Sequence, residues 1–229
     1  MEITEKAHFK GFQMVNAMIL AAGRGERLRP HTDSCPKPLL EIGGRPMIFY
    51  HLEALATAGF ESVVINVSWL AQTIEAAVGD GNQFKLKVVY SHEPEALETA
   101  GGIVQALDYL GDRFIVVNGD IFTDYPFERL VQIESEAHLV LVTNPDFHPQ
   151  GDFVLDNGLL SNDIEGRHTF AGIACYHRSF FKGLEPGKRA LAPLLQQAAD
   201  NGSLSGELYQ GKWTDVGTLE RWQGVASDI

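Results

Sequence analysis

The sequence predicts an α/β fold in which a doubly wound, mostly parallel, Rossmann-like sheet is joined by a smaller β subregion. Short apolar runs alternate with helical patterns through the first half of the chain, which is typical of strand–helix–strand units. The length of 229 residues fits one α/β domain. We therefore expect residues 14–229 to form a single domain, and residues 1–13, which lack a core periodicity, to be a mobile extension.

The first half of the chain contains four strand-like runs and three helical segments. The runs are short and apolar, as in buried parallel strands, and the helical segments place apolar residues three and four positions apart. Pro46 suits the first turn of a helix and Gly59 suits a C-terminal cap. The predicted strands are 15–20, 60–68, 85–91 and 114–117, and the predicted helices are 46–58, 69–78 and 99–110.

The second half is less regular and predicts the smaller β subregion. The turn dipeptide Asn157-Gly158 indicates a hairpin that begins near Gly151, and Thr218 can cap a last helix. The other predicted strands are 138–143, 170–176 and 208–216, and the other predicted helix is 191–199. Ligands of parallel sheets bind at the carboxyl ends of strands, so we expect the Gly23 loop, residues 91–102 and residues 118–120 to converge.

Composition narrows the possible partners. The formal charge is 18 − 30 = −12, which argues against a broad nucleic-acid-binding surface. The chain contains no apolar run long enough to span a membrane and no signal-peptide core, so no membrane partner is expected. Cys35 and Cys175 form no CxxC pair, which indicates a reducing compartment and a cytoplasmic location. Eight histidines without an HExxH pattern give no indication of zinc.

Positive charge is concentrated in one loop that follows the first strand. Five of the 18 basic residues lie between positions 24 and 45: Arg24, Arg27, Arg29, Lys37 and Arg45. Gly23 and Gly25 leave backbone N–H groups uncovered for an anion, and prolines on both sides of Lys37 stiffen its backbone. The segment therefore predicts a triphosphate-binding loop. The alternative is a glycine-rich turn with solvated arginines.

Spacing excludes two common phosphate-binding motifs. No GxxxxGK[ST] run occurs in the chain, and the third position of a GxGxxG fingerprint is Leu28. The pattern LAAGxGxRLxP followed by PKP instead resembles the signature of the sugar-1-phosphate nucleotidyltransferases, and LETAGG, NGD and WTDVGT extend the resemblance. It implies Mg²⁺-dependent transfer of a nucleotidyl group from a nucleoside triphosphate, with UTP as the expected donor, to a sugar 1-phosphate. A monomer or small homo-oligomer is expected.

The resemblance also assigns roles to particular residues. Arg27 and Lys37 are the expected catalytic residues, and Asp120 and Asp215 the expected Mg²⁺ ligands. From the residues alone, Asp120 could equally be a turn aspartate, and Asp215 could cap the helix behind it. The expected nucleotide-binding residues are Ala22, Gly23, Gly25, Glu26, Arg27, Lys37, Thr99 and Gly101. The expected sugar-phosphate-binding residues are Asn118, Asp152 and Gly172.

Two alternatives remain beside this expectation. One keeps the chemistry and changes the substrates, for example mannose 1-phosphate with GTP. The other is a catalytically silent nucleotide-binding regulatory subunit, against which the joint presence of Lys37, Asp120 and Asp215 argues. The sequence departs from the resembled family on the acceptor side, where residues 163–166 replace a Glu-Lys-Pro motif and Lys188-Arg189 precede the LAPLL segment.

Overall fold

The computed structural model describes residues 16–227, so the predicted extension at 1–13 lies outside the described residues. The strands are β1 (Asn16–Leu20), β2 (Glu41–Ile42), β3 (Arg45–Pro46), β4 (Ser62–Val67), β5 (Lys87–His92), β6 (Arg113–Asn118), β7 (Ile121–Thr123), β8 (Ala137–Val142), β9 (Phe153–Asp156), β10 (Leu159–Ser161), β11 (Arg167–His177), β12 (Leu204–Tyr209) and β13 (Trp213–Asp215). The helices are α1 (Met47–Thr57), α2 (Ala71–Val78), α3 (Glu98–Ala106), α4 (Ala192–Asp200) and α5 (Leu219–Ser227). Within residues 16–227, no helix combines the length and the apolar character that crossing a bilayer requires.

Nine strands form one large sheet in the order β5-β4-β1-β6-β11-β8-β12-β10-β9. The first four of these strands are parallel, as expected when strands that follow one another in the chain are joined by helical crossovers. β11 then runs antiparallel to both of its main neighbours, β6 and β8, while β12 returns to a parallel pairing with β8. The predicted α/β fold is confirmed, and the antiparallel pairings lie in the second half of the chain.

The two faces of the sheet carry separate apolar cores. Successive side chains of a strand point to opposite faces. Ile19 of β1 therefore packs in the same core as α1 and α2, whereas Met18 packs in the core that contains residues of α3 and α4. Burial on both faces explains why the strand runs of the first half are continuously apolar in sequence.

β11 is the longest strand and contains a bulge. Its register with β8 shifts between Phe170 and Ile173, and Gly172 lies there with a φ of 74°. The hairpin predicted at Asn157-Gly158 is present as β9 and β10, with both turn residues at positive φ. The bulge turns the backbone of β11 beside the end of β6, where the candidate site lies.

The prediction of one strand over 208–216 was wrong. β12 ends at Tyr209 in the large sheet, and the chain turns at Gly211, where a side chain would collide with the Tyr209 ring. β13 then leaves the large sheet and pairs with β7 as a separate two-stranded ribbon. β7 directly follows β6, so its pairing with β13 places β13 close to the carboxyl end of β6.

Candidate active site

A cleft opens at the carboxyl ends of β1, β4 and β6. Its first part, here called the loop-side cavity, has a volume of about 230 Å³. The convergence predicted for the glycine loop, residues 91–102 and residues 118–120 is confirmed by its lining. The lining residues are Leu20, Ala21, Ala22, Gly23, Lys37, Pro38, Asn66, Glu93, Ala96, Glu98, Thr99, Asn118, Gly119 and Asp120.

The loop after β1 presents its backbone to this cavity. Ala22 and Gly23 line the wall, and a Cβ added at Gly23 would meet nothing within 4 Å. Gly25 has a φ of 70°, and a Cβ there would lie 3.0 Å from the Thr32 methyl and 3.2 Å from Lys37 Cβ. Gly25 therefore serves the packing of Lys37 rather than the cavity wall.

Lys37 is fixed by the chain around it. It begins a 3₁₀ turn, Lys37–Leu39, directly after Pro36, and it is only 7% exposed. Its Nζ donates to Asp120 Oδ2 over 2.6 Å, and both residues line the loop-side cavity. A buried ammonium paired with a half-exposed carboxylate places a defined positive charge at the cavity wall.

The other basic residues of the loop are divided between two environments. Arg24 pairs with Glu26 over 3.1 Å and stacks on the Trp69 ring, 4.2 Å from its centroid. Arg29 pairs with Asp33 over 2.9 Å. The side chain of Glu26 therefore lies among the arginines of its own loop, and these exposed ion pairs occupy two of the three guanidinium groups.

Arg27 lies on the opposite side, toward Asp215. A Cβ added at Gly217 would lie 2.8 Å from Arg27 Nη2 and would also collide with Asp215 and Arg221. Glycine at this position allows two guanidinium groups and a carboxylate to approach one another. Arg27 is exposed, and its guanidinium lies toward Asp215 rather than in the wall of the loop-side cavity.

A buried polar network in the loop-side cavity was missed in the sequence. Asn66 accepts from the Ala21 backbone N–H over 2.8 Å and donates to Glu93 Oε1 over 2.7 Å. Glu93, which is 4% exposed, also accepts from the Leu97 N–H over 2.9 Å. A Cβ at Gly102 would lie 2.6 Å from Glu93 Oε1. Asn66 could have been identified in the sequence because it is a polar residue near the end of an otherwise apolar strand.

The small residues at the start of α3 have different roles from one another. Thr99 lines the cavity, as predicted. Gly101 does not line it, because its backbone N–H donates to the Arg189 carbonyl over 3.1 Å and a Cβ there would collide with the backbone of Gly187. Glycine is therefore required at position 101 because a neighbouring segment of the described chain packs against its backbone.

A second part of the cleft, here called the ribbon-side cavity, adjoins the β7–β13 ribbon. It shares Asn118 and Asp120 with the loop-side cavity, so the two parts meet at the end of β6. Its lining residues are Asn118, Asp120, Ile121, Phe147, His148, Asp152, Thr169, Phe170, Ala171, Gly172, Trp213 and Asp215. All three predicted sugar-phosphate-binding residues lie here. A Cβ at Gly172 would lie 2.6 Å from Asn118 Nδ2, so glycine leaves room for that amide.

The ribbon brings the two predicted metal ligands together. Asp215 pairs with Ile121 across the ribbon, and the Val216 N–H donates to the Asp120 carbonyl over 2.8 Å. Burial raises the pKa of the Asp215 carboxyl above its ordinary value, and the nearby Asp120 carboxylate raises it further. The Asp215 Oδ1 atom is buried without a hydrogen-bond partner.

Asp120 and Asp215 can be compared with the ligands that Mg²⁺ requires. Within residues 16–227, no cluster of three or more His, Cys, Asp or Glu side chains could hold a metal ion. Mg²⁺ is usually held by one or two carboxylates together with phosphate oxygens. A pair of neighbouring carboxylates, one of which has its pKa raised by burial and by the other and has an oxygen without a hydrogen bond, fits such an ion.

Arg221 connects Asp215 to the loop between β8 and β9. Its Nη2 lies 3.4 Å from Asp215 Oδ1, and its guanidinium carbon lies 3.8 Å from the centroid of the Phe147 ring. The predicted cap of α5 is present, because the Arg221 N–H donates to Thr218 Oγ1 over 3.4 Å. Arg221 was not predicted, because nothing in the sequence pairs it with Asp215.

The three tryptophans contribute to packing around the cleft. Each indole N–H donates to a backbone carbonyl: Trp69 to Thr32, Trp213 to Ala171 and Trp222 to Glu41. Trp213 also contributes to the wall of the ribbon-side cavity. The indole contacts hold the glycine loop, the β11 bulge and the start of β2 in place around the cleft.

The fold and the cleft define an α/β protein in which a glycine-rich loop with several arginines follows the first strand, beside two adjoining cavities. A nucleotidyl transferase family model matches residues 16–151. The chain is 47% identical to N-acetylmuramate alpha-1-phosphate uridylyltransferase of Neisseria meningitidis serogroup B, with 90% of this chain and 95% of that protein aligned. It is 32% identical to the mannose-1-phosphate guanylyltransferase catalytic subunit beta of Drosophila melanogaster, but it spans only 59% of that protein's length.

Solved structures agree with the fold. HddC from Yersinia pseudotuberculosis, complexed with GMP-PN, matches with a TM-score of 0.80 at 23% identity, over 94% of this chain and 99% of that one. The chain belongs to the nucleotidyl transferase family. The resemblance to sugar-1-phosphate nucleotidyltransferases that its motifs indicate is thereby confirmed.

Proposed function

We propose that the protein transfers UMP from UTP to N-acetylmuramate 1-phosphate, giving UDP-N-acetylmuramate and pyrophosphate. The observation that carries this proposal is the 47% identity to a uridylyltransferase of that specificity, which extends over nearly the whole of both chains. The cleft supports it, because two cavities that meet at Asn118 and Asp120 can hold a donor and an acceptor side by side.

In the proposed arrangement the nucleotide occupies the loop-side cavity. Backbone N–H groups near Ala22 and Gly23 face its phosphates, and Arg27 supplies a guanidinium for the β- and γ-phosphates. Glu26 and Gly25 shape this loop, and Thr99 lies where the base or ribose packs. Gly101 contributes indirectly, because its lack of a side chain allows a neighbouring segment of the chain to pack next to Thr99.

The acceptor occupies the ribbon-side cavity, with Asn118, Asp152 and Gly172 around the sugar. An oxygen of its 1-phosphate forms a bond to the α-phosphorus, and the bond from that phosphorus to the bridging oxygen of pyrophosphate breaks. The attacking oxygen is already anionic, so no proton has to be removed. The main requirements are therefore in-line positioning and neutralisation of charge.

Lys37 meets the second requirement. It is a buried ammonium in the wall of the loop-side cavity, and it is paired with Asp120 at the point where the two cavities meet and where charge would accumulate on the α-phosphate. Asp120 and Asp215 would hold a Mg²⁺ ion, which when bound supplies further positive charge to the phosphate oxygens. Two free cysteines fit a reducing compartment, and the proposal includes a cytoplasmic monomer or small homo-oligomer.

Pyrophosphate release measured over the four nucleoside triphosphates and a panel of sugar 1-phosphates tests the proposal. We expect the highest kcat/KM for UTP with N-acetylmuramate 1-phosphate. A higher value for GTP with mannose 1-phosphate would favour the guanylyltransferase alternative that the 32% identity suggests. Absence of turnover with every pair, together with measurable nucleotide binding, would favour a silent regulatory subunit.

A further inference from the structure

The ribbon-side cavity contains a strong imbalance of charge. Its lining includes three carboxylates, those of Asp120, Asp152 and Asp215. In the described part of the chain, His148 is the only lining residue of this cavity that can carry a positive charge. An acceptor that brings an anionic group in addition to its phosphate therefore finds one side chain in the wall that can pair with that group.

Asp152 is already engaged within the protein. Its Oδ1 lies 3.1 Å from His148 Nε2, and its Oδ2 accepts from the Phe170 backbone N–H over 2.7 Å. The carboxylate thus fixes the imidazole ring and ties it to the start of the β11 bulge. Because Asp152 accepts the proton on Nε2, the ring presents Nδ1 as its remaining polar atom.

The backbone that carries His148 is held from both sides. Its N–H donates to the Pro145 carbonyl over 2.9 Å, and its carbonyl accepts from the Gly151 N–H over 3.3 Å. Asn144 Nδ2 donates to the Pro149 carbonyl over 3.1 Å. Within residues 16–227 the structure gives Nδ1 no hydrogen-bond partner, and the side chain is 36% exposed. The ring is therefore both positioned and available.

We propose that His148 is a specificity-determining residue, whose Nδ1–H binds a carboxylate on the acceptor sugar. The inference rests on the proposed function, since the lactyl ether of N-acetylmuramate 1-phosphate carries such a carboxylate and N-acetylglucosamine 1-phosphate does not. A ring with a proton on each nitrogen can donate to Asp152 through Nε2 and to the substrate carboxylate through Nδ1, and both hydrogen bonds are then charge-assisted. Asp152 acts through His148 as a positioning residue.

The test compares His148→Ala with the unmodified chain on the two acceptors at saturating UTP. We expect the KM for N-acetylmuramate 1-phosphate to rise roughly 10- to 100-fold, as loss of a hydrogen bond to a charged group predicts. The KM for N-acetylglucosamine 1-phosphate and the KM for UTP should change less than about threefold, since neither ligand uses the contact. Calorimetric binding of each acceptor without UTP or metal gives the same comparison independently of turnover.

Arg189→Ala is the matched control, because Arg189 is an exposed cation just before α4 that does not line the ribbon-side cavity. A selective loss in Arg189→Ala without one in His148→Ala would overturn the inference and place the carboxylate near α4. Equal losses for both acceptors in His148→Ala would also overturn it, because they indicate a general structural role. If the unmodified chain does not use N-acetylmuramate 1-phosphate at all, the proposed function itself fails. That result differs from the two outcomes above, in which the unmodified chain uses this acceptor and only the role of His148 is contradicted.

Discussion

The loop-side and ribbon-side cavities are built in different ways. The loop-side cavity is formed by backbone at the ends of three parallel strands, and it is held by buried polar groups such as Asn66 and Lys37. The ribbon-side cavity is assembled from a bulge, a two-stranded ribbon and a loop that come from separate parts of the chain. A wall made of backbone tolerates little change, whereas a wall made of side chains can be altered one contact at a time.

The largest effect is expected for Lys37→Ala, which removes the buried ammonium of the loop-side cavity that pairs with Asp120. Loss of one preorganised charge at a reacting phosphate lowers kcat about 100-fold, equivalent to about 3 kcal/mol. Stopped-flow or steady-state kinetics measure this loss, and circular dichroism monitors the fold. Lys87→Ala, on the exposed edge strand β5, is the control and should leave kcat unchanged. An unchanged kcat in a folded Lys37→Ala protein would remove Lys37 from the mechanism.

Asn66→Ala tests whether the loop-side cavity depends on its buried network. The substitution leaves the Ala21 N–H and one Glu93 oxygen without their partner, which should lower the free energy of unfolding by about 2 kcal/mol. The KM for UTP should rise while the KM for the acceptor stays constant. Chemical denaturation and steady-state kinetics measure the two effects. Asn201→Ala, at an exposed helix end, should change neither, and a rise in both KM values would show that the two cavities are not independent.

Asp215→Asn tests the predicted metal ligand of the ribbon-side cavity by removing one charge and keeping the shape of the side chain. If Asp215 is a metal ligand, the Mg²⁺ concentration at half-maximal rate should rise roughly tenfold or more, since even residues outside the ligand shell have effects of that size. If Asp215 serves only as the ion-pair partner of Arg221, the Mg²⁺ dependence should be unchanged. Asp108→Asn, at a side chain that is 96% exposed, is the control.

The same variant has a predicted pH dependence in metal-free buffer. The pKa of Asp215 is raised in the folded state, so the folded protein binds the proton more tightly than the unfolded chain does. The carboxylate therefore destabilises the fold at neutral pH, and this penalty disappears as the pH falls through the raised value toward 3.8. Asp215→Asn should be more stable than the unmodified chain at pH 7, and its advantage should shrink on acidification. An advantage independent of pH would contradict this account.

The smallest effect is expected for Gly172→Ala in the ribbon-side cavity. The positive φ alone costs about 1 kcal/mol, and the added methyl also presses on Asn118. Gly158→Ala is a matched control, because its φ is 82° but its Cβ would meet nothing within 4 Å. Thermal melting should show a loss in both variants, and the loss should be larger in Gly172→Ala because its methyl must displace the Asn118 side chain. Only Gly172→Ala should raise the KM for the acceptor. Equal KM values would mean that the Asn118 contact does not matter for binding.

The difference between the cavities also explains what could be predicted from the sequence. β1 and β6 are buried on both faces, so both strands could be predicted from their apolar runs. Because the two strands are parallel neighbours, the polar residues at their carboxyl ends lie at the same edge of the sheet. The approach of Lys37 to Asp120 is consistent with that reasoning. Asn66 and Glu93 were missed because their role depends on each other across two strands, and no local pattern links them.

On the ribbon side, the paths of the strands depend on tertiary contacts. The break between β12 and β13 follows from the turn at Gly211 and from the pairing of β13 with β7, and an apolar pattern reports neither. Gly101 was expected beside the nucleotide because small residues often allow close approach. In the fold, the close approach is made by the chain around Gly187. Sequence alone does not distinguish a ligand from a neighbouring backbone as the reason for a glycine.

The Lys37–Asp120 ion pair gives the unliganded cleft a counter-ion of its own. A free divalent cation that approaches Asp120 meets an ammonium already 2.6 Å from that carboxylate, and repulsion between the two cations weakens its binding. A triphosphate reverses this balance, because its negative charge attracts Lys37 and its oxygens complete the coordination of the cation. We therefore expect the cation to bind as a complex with the nucleotide, and to bind only weakly when no nucleotide is present.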